Sequence, residues 1–289
     1  MSHGVGYALV AMICFGLADL VYKRGAAAGV QAHHFMMVQG WCYAPAVTLY
    51  GLSTGTLAFG PAAWWGAAVG FFAFAGFYNF ARSLQTGPVS VNAPIFRLSF
   101  TITAALAVWL LDEPLTPSKL AGLALALAAV WLLLGGQGGD RSTRHASRSS
   151  LIQVLAATVA IGIANLLYKF GVRAGATAAT LLVAQACMFV PLSTGFAAIA
   201  DRAIRPPRST WRYAGAAAIL LACGFVLLVE SLAFGQASVL VPIAQMGFVV
   251  TAALGFIFLR EPWTPRKGAG LAIALAALAC LAWGWGRSD

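Results

Sequence analysis

Residues 87–130 and 235–278 are near copies of each other at a constant offset of 148, pairing Ser90 with Ser238, Pro94 with Pro242, Phe100 with Phe248 and Thr103 with Thr251. The match includes DEPLTPSKLAGLALALAA (112–129) and REPWTPRKGAGLAIALAA (260–277). Nearer the start the offset is 146: GLADLVYKRG (16–25) matches GIANLLYKFG (162–171), and Gln39 and Pro45 match Gln185 and Pro191. Gly76, Phe77, Ser83 and Leu84 likewise match Gly224, Phe225, Ser231 and Leu232. Correspondence through four consecutive segments marks an internal duplication. It divides the chain into a repeat at 1–136, a polar linker at 137–149 and a second repeat at 150–289.

Each repeat holds five apolar runs, at roughly 4–23, 33–52, 62–83, 88–111 and 118–135, then 151–170, 177–198, 212–233, 236–259 and 267–285. Each is close to the roughly 20 residues that cross a bilayer core. Only 9% of residues are charged, against about 25% in soluble domains. The predicted fold is therefore an all-α integral membrane protein of ten transmembrane helices. Five is odd, so the second repeat must enter the membrane from the opposite side. The result is a pair of inverted-topology repeats around a central cavity, the arrangement in which one half rocks against the other to alternate access. A duplication that only improved packing is the plainer reading; the paired placement of polar residues favours transport.

The net charge of +10 does not point to nucleic acid, because the Lys and Arg residues gather at helix ends rather than on one face. The five cysteines fall within predicted helices, which argues against a disulfide framework. His33 and His34 adjoin at a helix start with no Cys or carboxylate cluster nearby, so no metal site is expected. The first apolar run lacks a basic leader and has an internal twin, unlike a signal peptide. No P-loop, H-E-x-x-H or hydrolytic carboxylate pair is present, so neither an enzyme nor a cofactor site is expected.

Charge inside a membrane helix costs about 2.5–3.5 kcal/mol per group and marks a cavity or a partner. Three symmetry pairs stand out: Asp19 with Asn165, Arg82 with Glu230, and Arg97 with Gln245. Each keeps a polar group and changes its charge, which suits a cavity for an asymmetric, zwitterionic solute. Asp19 and Lys23 lie four apart and can instead neutralise each other. Arg82 and Glu230 can form a latch between the halves. Arg97 lies too deep to snorkel easily and is expected to face the cavity. Tyr78 and Asn79, beside Arg82, offer an aromatic and amide surface. The predicted substrate-binding cavity is Asp19, Tyr78, Asn79, Arg97, Asn165, Glu230 and Gln245. Pro94 and Pro242 each remove a backbone hydrogen bond near mid-helix and are predicted hinges.

Two repeated motifs carry a family resemblance. One is Phe15-Gly16…Lys23 with Ile161-Gly162…Lys169; the other is Glu113, Thr116 and Gly122 with Glu261, Thr264 and Gly270. Over essentially its whole length the chain resembles the drug/metabolite transporter superfamily in its ten-helix EamA-type form, and its length and architecture look like amino-acid exporters of the YddG type. Phe15 and Ile161 stand where the family often has Trp. The resemblance implies a cavity built from the first, third, fourth, sixth, eighth and ninth helices, with the second, fifth, seventh and tenth peripheral. It also implies export of small metabolites across a bacterial inner membrane by a protein whose partners are its solute and lipid, expected to be a monomer. Neutral hydrophobic or aromatic amino acids are the leading substrates. A proton-coupled exporter of organic cations, with Asp19 or Glu230 as proton site, is the alternative; a scaffold or lipid-binding protein is the third reading.

Basic residues favour cytoplasmic loops. The connections after the odd-numbered spans hold thirteen (Lys23, Arg24, Arg82, Arg141, Arg144, Arg148, Arg202, Arg205, Arg208, Arg212, Arg260, Arg266 and Lys267), and the other side holds four (Lys119, Lys169, Arg173 and Arg287). The count places both termini outside the cytoplasm, although the resemblance implies termini inside. A C-terminal reporter active only in the cytoplasm is therefore expected to stay dark; a bright signal refutes this orientation.

Overall fold

The computed structural model describes residues 3–86, 92, 95–134, 148–201, 204, 206–258 and 264–285. Those residues form α1 (His3–Ala27), α2 (Ala32–Thr54), α3 (Ala63–Thr86), α4 (Ser99–Leu110), α5 (Pro117–Leu134), α6 (Arg148–Arg173), α7 (Ala178–Asp201), α8 (Arg208–Ala233), α9 (Ala237–Gln245), α10 (Gly247–Phe258) and α11 (Pro265–Trp285). α9 and α10 are the two halves of one interrupted span. Among the described residues, six spans are long and apolar enough to cross a membrane by themselves, and Ile95–Leu110 and Pro117–Leu133 are shorter apolar helices. The architecture is that of a multi-pass membrane protein of about ten helices. With no water in hydrocarbon to bond exposed peptide groups, helices are the form such runs must take.

Contacts between helices set their directions. α1 lies antiparallel to α8, with Gly4 at Phe234 and Gly25 at Tyr213. α3 lies antiparallel to α6, with Trp65 stacked on Phe170 and Gly76 at Ile161. α2 runs parallel to α8, from Trp41 beside Trp211 to Tyr50 beside Glu230, and antiparallel to α7, from Gly40 at Phe189 to Gly51 at Ala179. α3 is parallel to α7, with Gly66 at Leu181 and Tyr78 against Phe196. So α1, α3 and α7 point one way and α2, α6 and α8 the other. α1 and its twin α6 are inverted.

The two-fold relation persists at atomic detail. Thr103 Oγ1 donates to Gly162 O at 3.1 Å, and Thr251 Oγ1 to Gly16 O at 2.9 Å. The turns after α1 and α6 match too: Gly29 (φ 77°) and Gly175 (φ 85°) take the left-handed conformation. The N–H of the next residue then satisfies a helix-end carbonyl, Val30 to Gly25 and Ala176 to Gly171. One end of the molecule gathers the C-termini of α1, α3 and α7 with the N-termini of α2, α6 and α8. It carries Arg24, Arg82, Arg148, Arg208 and Arg212 and is called the basic end below.

The repeats interlock at their broken spans. A Cβ at Gly16 would stand 2.5 Å from Val250 Cβ and 2.6 Å from Gly247 O; one at Gly162 would stand 2.7 Å from Ile102 Cγ2. Overfilling a packed site costs about 1–3 kcal/mol. Gly16→Val and Gly162→Val are each expected to lower the apparent melting temperature and the monodisperse fraction in detergent. An unchanged thermal profile for both would contradict this packing.

Candidate functional site

The central pocket straddles the pseudo-two-fold axis. Its wall contains the pairs Gln39 and Gln185, Tyr43 and Phe189, and Phe77 and Phe225. Tyr22 donates its hydroxyl to Gln39 Oε1, and its twin Tyr168 donates to Gln185 Oε1. Tyr43 adds a long contact to Gln185 Oε1 at 3.4 Å. A cavity volume of about 20 Å³ leaves room for roughly one water. The centre is thus narrow, aromatic and uncharged, with two oriented amides.

Beside it, Arg97 and Asp19 form an ion pair, donated from Arg97 Nη2 to Asp19 Oδ2. Their side chains keep 20% and 27% exposure although both lie mid-span. Arg97 immediately precedes a break: at Leu98 the helix passes through i→i+3 bonds, Leu98 N–H to Ile95 O and Thr101 N–H to Leu98 O. The twin break falls at Met246, bonded in the same way to Ile243 O and from Val249 N–H, directly after Gln245. Discontinuous helices of this kind supply polar groups at transporter midplanes. Asn165, the twin of Asp19, is 2% exposed, and its Nδ2 has no hydrogen-bond partner among the described residues.

The end opposite the basic end holds buried charge. Glu113 accepts the N–H groups of Ala237 and Ser238, each at 2.8 Å, placing a carboxylate on the positive N-terminus of α9. Lys119, fully buried, donates to Gln236, to Ser238 Oγ at 3.1 Å and to Pro114 O at 2.6 Å. Lys169 donates to Leu232 O at 2.6 Å and to Gly235 O. Every donor of this network meets an acceptor on the α8–α9 connection or beside it.

Match to a family model covers residues 2–135 and again 148–283, in both cases to the EamA-like transporter family. The chain belongs to the EamA-like transporter family. An uncharacterised protein of Methanocaldococcus jannaschii is 33% identical over 69 residues, a match covering 24% of this chain and half the length of that curated relative. One solved crystal structure superposes with a TM-score of 0.80 over 97% of this chain and 98% of its own, at 17% identity. That likeness shows the fold.

Within this EamA-like transporter the sequence-predicted site residues separate into three places. Asp19 and Arg97 come together; Lys23, the partner expected from i,i+4 spacing, lies outside the described side chains. Tyr78 and Arg82 share a second cavity at the basic end, while Asn79 bonds within its own helix to Ala75 O at 2.8 Å. Glu230 accepts from Tyr50 OH at 3.2 Å at the far end. The proposed Arg82–Glu230 latch is therefore not formed: in inverted repeats, equivalent positions near helix ends lie on opposite faces of the membrane. Gln245 is half-buried at the α9 break. Pro242 stays inside α9, and the interruption falls four residues later; Pro94 lies outside the described residues. α2 and α7, expected at the periphery, both enter the central wall, because α3 approaches α7 closely at Gly66 and Gly70. Sequence reasoning passed over Tyr22 with Tyr168 and treated Gln39 with Gln185 as a repeat match only. Their signal is identity of polar residues across the repeats, unlike the pairs that differ in charge.

The Glu113 cap is expected to hold the far end shut. Glu113→Gln keeps one acceptor but loses the charge, and a charge-assisted bond of this kind contributes about 1.5–3 kcal/mol. With the native cysteines replaced, Ser238→Cys is expected to react faster with an aqueous thiol reagent when Glu113→Gln is added. Equal rates would show that the cap does not close this end.

Proposed function

We propose that this EamA-like transporter exports small zwitterionic metabolites, foremost neutral hydrophobic or aromatic amino acids, across a bacterial inner membrane by alternating access. The reading is carried by one observation: a matched cation and anion, Arg97 and Asp19, sit mid-span at a helix break, whereas the twin positions hold the neutral Asn165 and Gln245. The pair is neutral overall, as a zwitterion is. An ammonium can replace the guanidinium on Asp19 while the carboxylate takes the guanidinium in charge-assisted bonds. The aromatic and amide wall beside it suits an apolar side chain. Glu230, held by Tyr50 at the far end, drops out as an ammonium partner.

Asp19 engaged by Arg97 is also poorly suited to an organic cation alone, since such a ligand would leave the guanidinium unpaired inside the protein. A lone buried charge left by removing one partner costs about 3–5 kcal/mol, while replacing both can be neutral. Arg97→Gln alone is therefore expected to destabilise the protein. Asp19→Asn with Arg97→Gln makes the first repeat copy the second, and is expected to recover stability while losing transport. The decisive measurement is counterflow of labelled phenylalanine in proteoliposomes, with a panel of amino acids and quaternary ammonium ions. Exchange by the wild type and none by the double variant is the expected result. Absence of amino-acid exchange, or exchange of the ammonium ions instead, overturns the reading.

A further inference from the structure

The second cavity lies apart from the ion pair, between the N-terminal turn of α2 and the C-terminal turns of α3 and α7, and has a volume of about 310 Å³. That is the lower end of the range for small-molecule sites, and it is far roomier than the central pocket. His33, Met36, Tyr78, Arg82 and Phe196 contribute to its lining. The spacing of Tyr78 and Arg82 on α3 puts phenol and guanidinium on one face. Arg82 Nη1 donates to Tyr78 OH at 3.0 Å, and the guanidinium carbon stands 5.8 Å from the centre of the Tyr78 ring. One nitrogen is thus fixed by the phenol, which sets the orientation of the planar group. Among the described side chains, no carboxylate pairs with it.

Apart from His33, the rest of the cavity is apolar and aromatic. Tyr78 meets Phe196 edge-on at 4.4 Å and stacks on Phe74 at 5.9 Å. Phe74 in turn contacts Phe189, a wall residue of the central pocket, at 6.2 Å. A seam of rings therefore links the basic-end cavity to the centre. A preset guanidinium beside stacked rings and a methionine selects one kind of ligand: a small organic anion with a flat apolar body. Guanidinium binds carboxylate in two parallel charge-assisted bonds, while the rings and Met36 cover the apolar part.

We infer that this cavity is a capture site for small aryl carboxylates, separate from the Asp19–Arg97 pair, with Arg82 as its anion-binding group and Tyr78 as the residue that positions it. Its use as the entry station for an aromatic amino acid rests on the transport reading above; its ligand chemistry does not. The fixed charge in the described wall is the Arg82 guanidinium, so the site reads the acid end of the solute first.

The test is direct binding to the purified full-length protein in detergent, by calorimetry, with 3-phenylpropionate as probe and 2-phenylethylamine as its cationic counterpart. Wild type is expected to bind the acid and not the amine. Arg82→Gln is expected to weaken acid binding at least about tenfold, and Arg82→Lys, which keeps the charge but not the planar fork, to fall between. Phe196→Ala is expected to weaken it also, and Asp19→Asn with Arg97→Gln to leave it intact. No binding of the acid by wild type, equal binding by Arg82→Gln, or loss only in the double variant each overturns the inference. If the acid binds through Arg82 while amino-acid counterflow is absent, the transport reading fails and the site stands. Counterflow that persists with Arg82→Gln binding the acid normally is the converse.

Discussion

Hydrocarbon offers no partner to a charge or a peptide group, so every polar atom carried into the membrane must be answered from within the protein. The arrangement of this transporter follows from that demand. Arg97 is answered by Asp19, Lys119 and Lys169 by carbonyls and an amide at the far end, and Glu113 by the first peptide groups of α9. Apart from the local bond of Lys119 to Pro114 O, each of these bonds joins elements that are distant in sequence. Polar residues here act as fasteners between helices, and apolar surface alone, which lipid can cover equally well, would not choose among neighbours.

The duplication decides where the fasteners lie. Because the halves are inverted, a motif repeated in sequence appears once at each face, and one near mid-span appears twice around the centre. Tyr22 with Gln39 and Tyr168 with Gln185 are of the second kind, meeting at the axis. Arg82 and Glu230 are of the first kind and are parted by the thickness of the bundle. The same rule accounts for the paired helix breaks at Leu98 and Met246, which stand where Thr103 and Thr251 tie each broken span to the opposite repeat.

The fold was largely legible in the sequence, since apolar run length and a constant offset report directly on spans and symmetry. The site was legible only in part. Asp19 and Arg97 were recognisable as costly residues that need company, but their pairing crosses from α1 to the span of α4, and no local spacing encodes that. The latch between Arg82 and Glu230 misled because matching offsets convey equivalence and not proximity. The helix break likewise falls downstream of Pro242: the proline removes a bond from the preceding turn, but the ladder yields where Gly247 packs against Gly16. The tyrosine and glutamine pairs escaped because neutral residues carry no energetic alarm in a composition-based reading.

The two glutamines flanking the axis have a consequence of their own. A pocket with true two-fold symmetry presents the same face to either end of a guest, so head-first and tail-first poses are degenerate. Charges retained by one repeat and absent from the other lift that degeneracy. A fixed orientation of the guest in such a protein must therefore come from the substitutions accumulated since the copies were identical.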